Sequence, residues 1–386
     1  MESSLRTGQQ LLIEKCRERR DFVSFERAAE AIHRDQPLFI PPYPGTIAKF
    51  FSPKSAFRRR HGEIHGFIAR RNGKPVGRIA AIINNTHNSF YNDRTGFFGF
   101  FDCIDDEEVA AALFRTAGDF LKERGMDRIR GPYNPTINDE CGLLVEGFDS
   151  PTLIGLTWNP PYYQKLVEGL GFAHWVSNYG FRLPLSELSP PARLKPIAER
   201  VAKRSKVRLR LIELANLPVE LEIIREVYDA TLRGNSGFIP ISAEDLAEGA
   251  NELKAFAMRE LIMIGEQDGQ RAAVAISLPN INEHLARIRR TPYWLRPLHF
   301  LWLLKTKRLR TGRQVVYGVS PRFRDKGLHG WLTYEHFVYA KSVLDYAELG
   351  WIEEGNKEIL LAAEIIGGQR YRKWTIYEKS LTDSDA

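Results

Sequence analysis

The sequence predicts an α/β protein made of two similar lobes, each with a mixed α+β sheet. First, 386 residues are enough for two domains that each bury a core of their own. Second, both halves of the chain show apolar patterns in the order hairpin, strand, helix, strand, helix, strand. Third, Val315 to Gly330 reads as a strand, a tight basic turn and a helix. That layout directs backbone N–H groups and a helix dipole at a phosphate.

The same patterns define the elements expected along the chain. Those of the first half are a short helix after residue 20, a hairpin around Asn72–Gly73, a strand over 96–104, a helix over 105–125, a strand over 127–131, a polar loop over 132–141, a helix over 159–172 and a strand over 175–185. Those of the second half are a strand over 207–214, a helix over 218–233, a hairpin over 261–278, a strand over 315–319, a helix over 328–339, a strand and helix over 346–366 and a strand over 373–377. We therefore expect lobes over 1–190 and 207–386, joined by a linker over 191–206.

Composition excludes several classes of protein. The chain is 43% hydrophobic and 27% charged, as in ordinary globular proteins. Cys16, Cys103 and Cys141 are too few and too far apart for a disulfide framework, which favours a reducing compartment. The N-terminus is too charged for a signal peptide, and no run of about 18 apolar residues could span a membrane. We expect a cytoplasmic protein.

The segment 287–313 interrupts the second lobe with nine Lys and Arg residues and no acid. Without those nine charges, the net charge of +7 would be −2, so the basicity is local. Aromatic and leucine side chains are interleaved with the cations, which is typical of a segment at a lipid interface. Contact with an anionic membrane at the inner face, a lid over a lipid tunnel, and packing inside the second lobe remain open. RNA binding would suit the same composition, but we expect no nucleic-acid partner.

The turn after the 315–319 strand carries a resemblance to a known superfamily. Arg324-x-x-Gly327 matches the pyrophosphate turn of the GNAT acyl-CoA N-acyltransferases, although His329 stands where their last glycine or alanine is expected. The W-x-E-E-x-N motif at 351–356 also resembles that superfamily. The first lobe has FDCIDDEEVAAA in place of the turn, and its acids would repel a pyrophosphate. The resemblance thus implies one acyl-CoA site, in the second lobe, with the first lobe shaping the acceptor side.

A narrower resemblance extends over most of the chain. The segments VGRIAAIIN, FGFFD, GPYNPTINDECGLLVEGFDS, NPPYYQKLVEGLGF, NSGFIP, SLPNIN and WIEEGN are similar to long, two-lobed GNAT-like proteins of proteobacteria. That group includes the bacterial ceramide synthases, which N-acylate a long-chain sphingoid base with a fatty acyl thioester. The resemblance implies acyl-CoA as the donor, no metal, and sphinganine or 3-ketosphinganine as the acceptor.

The resemblance also implies the cofactor-binding residues. These are Val316, Tyr317, Gly318, Val319, Arg324, Asp325, Lys326, Gly327, Leu328, His329, Gly330 and Asn356. A tyrosine of the fourth helix is often the general acid in this superfamily, but the matching position here is Ala363. A thiolate leaves without protonation, so the loss does not exclude catalysis.

The residues that could accept the proton of the amine are less well defined. The candidates are Glu140, His329, Glu348 and Glu353. Glu140 belongs to a polar cluster between two apolar strands, which is costly to bury without partners. Glu353 could instead complement a helix dipole, and His329 could simply begin a helix.

Four asparagines are candidate contacts of the acceptor. Asn134 and Asn138 could equally be turn formers, and Asn280 and Asn282 could merely close a loop. The first functional hypothesis is an acyl-CoA-dependent N-acyltransferase acting on a long-chain amino lipid. The alternatives are an N-acetyltransferase for a small-molecule or peptide amine, and a non-catalytic binding protein of the same fold.

Overall fold

The chain folds into two compact units. The computed structural model describes residues 10–382, except for the side chains of Leu253, Asp325 and Lys326. Residues 10–151, 157–175 and 375–382 form unit 1, and residues 152–156 and 176–374 form unit 2. The expected lobes were continuous in sequence. In the structure, the end of the chain instead belongs to unit 1, and 152–156 belongs to unit 2.

Unit 1 is built around a hairpin of two long strands, Gly62–Arg71 and Lys74–Asn84. Its elements are β1 (Leu11–Lys15), α1 (Arg19–Ile32), α2 (Ala56–Arg60), β2 (Gly62–Arg71), β3 (Lys74–Asn84), α3 (Asn85–Tyr91), β4 (Thr95–Cys103), α4 (Glu107–Lys122), β5 (Arg128–Gly131), β6 (Tyr133–Asn134), β7 (Glu140–Cys141), β8 (Leu143–Glu146), α5 (Tyr162–Gly169) and the start of β9 (Ala173–Leu183). The strands β1 to β4 are antiparallel neighbours in chain order, and β4 pairs with β5 in parallel. Parallel strands need a crossover connection, which the helix α4 supplies. Its apolar face packs on the sheet around Leu113 and Ala117.

Unit 2 repeats this layout. Its elements are the rest of β9, α6 (Lys195–Arg204), β10 (Arg208–Leu211), α7 (Leu217–Leu232), α8 (Ala243–Leu253), β11 (Ile262–Gln267), β12 (Gln270–Pro279), α9 (Asn282–Ile288), α10 (Arg296–Thr306), β13 (Thr311–Val319), α11 (Leu328–Val343), β14 (Tyr346–Glu353), α12 (Lys357–Ile365) and the first part of β15 (Gln369–Ser380). The sheet order is β9-β14-β13-β12-β11-β10, in which only the β13–β14 pair is parallel. The predicted α/β class with mixed sheets is confirmed.

Two layers of helices cover the unit 2 sheet. Ala347 and Leu349 of β14 pack under α11 and α12. On the other face, Ile276 of β12 and Val316 of β13 pack with α7. Since side chains alternate along a strand, Glu348 faces away from α11 and α12.

Several elements were not expected from the sequence. The polar loop over 132–141 contains the short ribbon β6–β7, in which Asn134 pairs with Glu140. The helix α8 is capped by Ser242, whose Oγ accepts a hydrogen bond from the backbone N–H of Asp245. The basic segment is not one element, because it holds α10 and the first residues of β13. Within residues 10–382, no helix is long and apolar enough to cross a membrane.

Candidate active site

The strands β13 and β14 separate halfway along their length. They pair only over Thr311–Gln314 and Tyr346–Leu349. Beyond that point β13 stays paired with β12 up to Val319, and β14 stays paired with β9 up to Glu353. A register shift in β12–β13 between Ile276 and Ser277 helps the strands to part. We call the resulting gap, lined by 315–319 and 350–353, the β13–β14 notch.

Backbone N–H groups of β13 point into this notch. Ser320 donates its N–H to the carbonyl oxygen of Ala272 on the β12 side at 2.8 Å. By the alternation of an antiparallel ladder, Tyr317 and Val319 then direct their N–H groups away from β12. The pairing of β13 with β14 ends at Gln314, so within the described residues no paired strand faces these two groups. The notch therefore offers an unpaired strand edge to an extended amide ligand.

The helix α11 begins at one end of the notch without a capping side chain. Gly327 precedes it in a left-handed conformation, with φ 71°, and makes no side-chain cap. Its first N–H groups are thus available to an anion at the positive end of the helix dipole. Arg324 is exposed beside this turn, and its Nε lies 3.4 Å from the carbonyl oxygen of Val319. The predicted side chains of Asp325 and Lys326 lie outside the described residues.

The linker helix α6 covers one side of the α11 turn. A Cβ at Gly327 would lie 2.9 Å from Val201, and one at Gly330 would lie 3.3 Å from Ile197. Leu328, at the start of α11, is buried in a hydrophobic cluster that also contains side chains of α6. Packing against α6 therefore favours glycine at both positions, and the cofactor-binding role expected for them remains a prediction.

Glu348 lies at the base of the notch, one residue before the strands part. Its side chain is 0% exposed, and within the described residues its Oε1 has no hydrogen-bond partner. Gly180 of the neighbouring β9 leaves room for that oxygen, because a Cβ there would be 2.7 Å from it. Burial raises the pKa of Glu348, while Arg372 at 3.5 Å opposes the rise. A buried carboxylate oxygen without a donor is costly, and such groups concentrate at functional sites.

Tyr371 supports Glu348 and was not singled out from the sequence. Its hydroxyl donates to Glu348 Oε2 at 2.7 Å, and Tyr346 donates to Tyr371 at 3.3 Å. Ala363, the position of the superfamily's tyrosine acid, is buried inside α12. Tyr371 follows α12 on β15, so only the folded chain brings a tyrosine to this carboxylate.

His329 lies in the first turn of α11. Burial lowers the pKa of its ring, and Arg324 lowers it further. Its carbonyl oxygen accepts a hydrogen bond from the Tyr317 hydroxyl at 3.0 Å, which fixes the helix start to β13. The neutral ring remains a candidate proton acceptor.

Glu353 and Asn356 make local structural contacts. Both Glu353 oxygens accept hydrogen bonds from Ser236, one from the backbone N–H and one from the hydroxyl. Asn356 caps α12, with its side chain accepting from the N–H of Ile359 at 3.4 Å. The catalytic and cofactor roles expected for these two residues remain predictions.

Glu140, Asn134 and Asn138 belong to unit 1. The side chains of Glu140 and Asn138 are exposed, so no burial cost sets this polar cluster apart. The cluster is a two-residue ribbon, too short to bury its polar side chains. Asn134 accepts a hydrogen bond from the N–H of Phe100 at 2.6 Å, so it supports β4. The catalytic role expected for Glu140 and the acceptor contacts expected for Asn134 and Asn138 remain predictions.

Asn280 and Asn282 hold the segment 152–156 within unit 2. Asn280 is buried and accepts a hydrogen bond from the N–H of Ile154 at 3.0 Å. Asn282 donates to the carbonyl oxygen of Thr152 at 2.9 Å. Arg313 donates to the carbonyl oxygens of Ile154 and Gly155, and to that of Gly350 on β14. These contacts fit the alternative in which the asparagines close a loop. Within residues 10–382, no cluster of metal-binding side chains is present.

Comparison with known proteins defines the class of this protein. The fold matches a tandem GNAT protein from the clavulanic acid biosynthesis pathway, with a TM-score of 0.59 at 12% identity over 97% of this chain and 100% of that one. A GCN5-related N-acetyltransferase from Sphaerobacter thermophilus gives a TM-score of 0.52 at 10% identity over 97% and 96%. The chain is thus a two-lobed GNAT-fold protein.

Sequence relatives define the family. Protein YghO of Escherichia coli K12 is 31% identical over 366 residues, covering 94% of this chain and 93% of that protein. Bacterial ceramide synthase of Caulobacter vibrioides is 31% identical over 359 residues, covering 91% and 92%. No protein-family model matches. The chain belongs to the family of two-lobed GNAT proteins that contains bacterial ceramide synthase, and it is an acyl-transferring enzyme.

Proposed function

We propose that this protein is an acyl-CoA-dependent N-acyltransferase that forms an amide on a long-chain amino lipid, sphinganine or 3-ketosphinganine. The observation that carries the proposal is the β13–β14 notch, with its unpaired strand edge, beside the partnerless Oε1 of Glu348. The acceptor is suggested by the relative named bacterial ceramide synthase.

The residues present fit an acyl-CoA thioester. The uncapped start of α11 and the Arg324 guanidinium would hold the diphosphate. The N–H groups of Tyr317 and Val319 would pair with the amides of the pantetheine arm, and one of them would donate to the carbonyl oxygen of the thioester. Such a donor stabilises the negative charge that develops on that oxygen during attack.

Glu348 would accept the proton released by the amine. The amine nitrogen forms a bond to the thioester carbon, the carbon–sulfur bond breaks, and the thiolate leaves with the electron pair. The proton lost from the nitrogen moves to Oε1, the oxygen without a partner. Tyr371 keeps Oε2 bonded and orients the carboxylate during this transfer.

The proposal is tested by incubating the purified protein with sphinganine or 3-ketosphinganine and acyl-CoAs from acetyl to stearoyl. Mass spectrometry should detect the amide with long-chain thioesters. Arg324→Ala should raise the KM for the thioester by roughly tenfold at nearly unchanged kcat, since it removes one charged contact to the diphosphate. Amide formed from acetyl-CoA alone would assign an N-acetyltransferase instead. Absence of any product or thioester binding would overturn the proposal.

A further inference from the structure

The helix α10 has apolar side chains on two opposite faces. Its inner face is buried, with Phe300 and Leu303 packed inside unit 2 and the Phe300 ring 6.3 Å from the ring of His284 on α9. Arg296 is also buried, and it donates to the carbonyl oxygens of Arg289 and Thr291. A helix that is apolar all round is normally buried all round. Within residues 10–382, however, the outer face of α10 is exposed to solvent.

The outer face carries what we call the α10 stripe, formed by Trp294, Leu298, Leu301 and Trp302. Their side chains are 75%, 64%, 50% and 54% exposed, respectively. Positions 298, 301 and 302 follow helical spacing, so these three side chains lie on one side of α10, and Trp294 lies in the 3-10 turn Tyr293–Leu295 that leads into the helix. All seven tryptophans of the chain are described, and only these two are exposed. This excludes the alternative in which the tryptophans of the basic segment fill the core.

Exposed cations lie close to the stripe along the chain. Exposed basic residues flank it on both sides, and within the described residues none of them pairs with a carboxylate: Arg287, Arg290, Lys305, Lys307 and Arg308. The one nearby acid in the sequence, Glu283, accepts hydrogen bonds from the N–H groups of Arg310 and Thr311. Arg310 itself is bonded to Asp345. The positive charge around the stripe therefore faces solvent.

We propose that the α10 stripe and its flanking cations dock onto an anionic membrane surface. Tryptophan and leucine side chains enter the boundary between headgroups and acyl chains, and the cations contact lipid phosphates. A second copy of the chain would oppose two sets of like charges, which disfavours it as the occupant. The docking does not depend on the reaction proposed above, although it would place the enzyme where a lipid substrate resides.

Binding to vesicles tests this surface with a matched control. The full-length protein is co-sedimented with vesicles of phosphatidylcholine alone, and with vesicles in which about a third of the lipid is phosphatidylglycerol. The wild-type chain should bind the anionic vesicles, with weaker binding at high salt. The double variant Leu298→Glu, Trp302→Glu should lower the partition coefficient at least tenfold.

The control is Leu361→Glu, Ile365→Glu on α12. These side chains are 57% and 53% exposed and have the same spacing as the test pair, so the control adds the same charge to a comparable surface. It should bind vesicles as the wild type does. Absence of wild-type binding, or equal loss in both variants, would overturn the proposal. The stripe would instead be assigned to contact with a second copy under three conditions. The wild type would bind no vesicles and would sediment as a dimer, and only the α10 variant would sediment as a monomer.

Discussion

The two units contain the same parting of parallel strands, filled in one and open in the other. In unit 1, β4 and β5 pair only over Thr95–Phe97 and Arg128–Arg130. The Tyr163 hydroxyl then accepts the N–H of Cys103 at 2.6 Å, and Tyr162 donates to the Cys103 carbonyl oxygen. In unit 2, Val319 corresponds to Cys103. The residue that follows each of them donates its N–H to the preceding antiparallel strand of its own unit. No comparable side chain within residues 10–382 bonds the N–H of Val319.

The chain itself also closes the unit 1 gap. A Cβ at Gly99 would lie 1.6 Å from the carbonyl oxygen of Tyr133, so β6 passes directly against β4. The following helix start is occupied too, because Asp106 caps α4 and pairs with Arg71. At α11 the equivalent position is Gly327. One strand geometry thus stabilises a fold in unit 1, while in unit 2 it leaves backbone groups available to a ligand.

Replacing Glu348, the buried carboxylate of unit 2 whose Oε2 is hydrogen-bonded and whose Oε1 is not, should give the largest effect. Glu348→Gln should lower kcat roughly 10²- to 10⁴-fold, because it removes the proton acceptor. Circular dichroism checks that the variant folds, since the buried guanidinium of Arg372 loses its charged partner at 3.5 Å. Steady-state kinetics with the long-chain thioester measure the effect. The control is Glu220→Gln, a buried carboxyl of the same unit with both oxygens bonded to Arg210, which should lose stability and keep kcat. Equal kcat in both variants would exclude Glu348 as the base.

Asp102, the buried carboxylate of unit 1 with a partner at each oxygen, should show the reverse pattern: a loss of stability without a loss of kcat. Asp102 accepts from Arg78 at 2.7 Å and lies 2.6 Å from His33. Asp102→Ala should cost about 3–5 kcal/mol of unfolding free energy by leaving buried partners uncompensated. Urea denaturation measures the loss, and kcat of the folded protein should stay unchanged.

The pH dependence gives a second readout. Burial would raise the pKa of Asp102, but Arg78 and His33 lower it overall. Its contribution to stability is thus present above the ordinary pKa and is lost as the pH falls through the lowered value. The Asp102→Ala variant should lack this acid-dependent loss.

A smaller loss of stability is expected where β6 closes the unit 1 gap. Asn134→Ala leaves the N–H of Phe100 without its acceptor, at a cost of about 1–3 kcal/mol. The KM for the thioester should not change if the donor binds only in unit 2. Thermal unfolding with parallel kinetics checks both expectations, and a raised KM with full stability would place Asn134 in the donor site.

The smallest effect concerns the protonation of Glu348. The Tyr371 hydrogen bond lowers the pKa of this carboxyl against the larger, opposite effect of burial. Tyr371→Phe should therefore raise that pKa and move the acid limb of the kcat/KM profile to higher pH. Removing a merely structural hydroxyl would leave the limb in place.

Local signals predicted most elements around the site. The Asn72–Gly73 turn joins β2 and β3 as expected, and Arg324-x-x-Gly327 leads into α11. These features depend on turn chemistry and helix periodicity within a few residues. Tyr163 could not be placed in the same way, since it lies 60 residues from its partner Cys103. Tyr371 is 23 residues from Glu348.

The sequence by itself determined the two α/β repeats, the basic turn and the acidic helix start that distinguishes one repeat from the other. Those properties follow from side-chain chemistry at neighbouring positions. Only the tertiary structure decided which strand gap stays open, which carboxylate oxygen lacks a donor, and which face of α10 meets solvent. Each of these depends on groups that are far apart in sequence, so no local pattern of residues predicts that they meet.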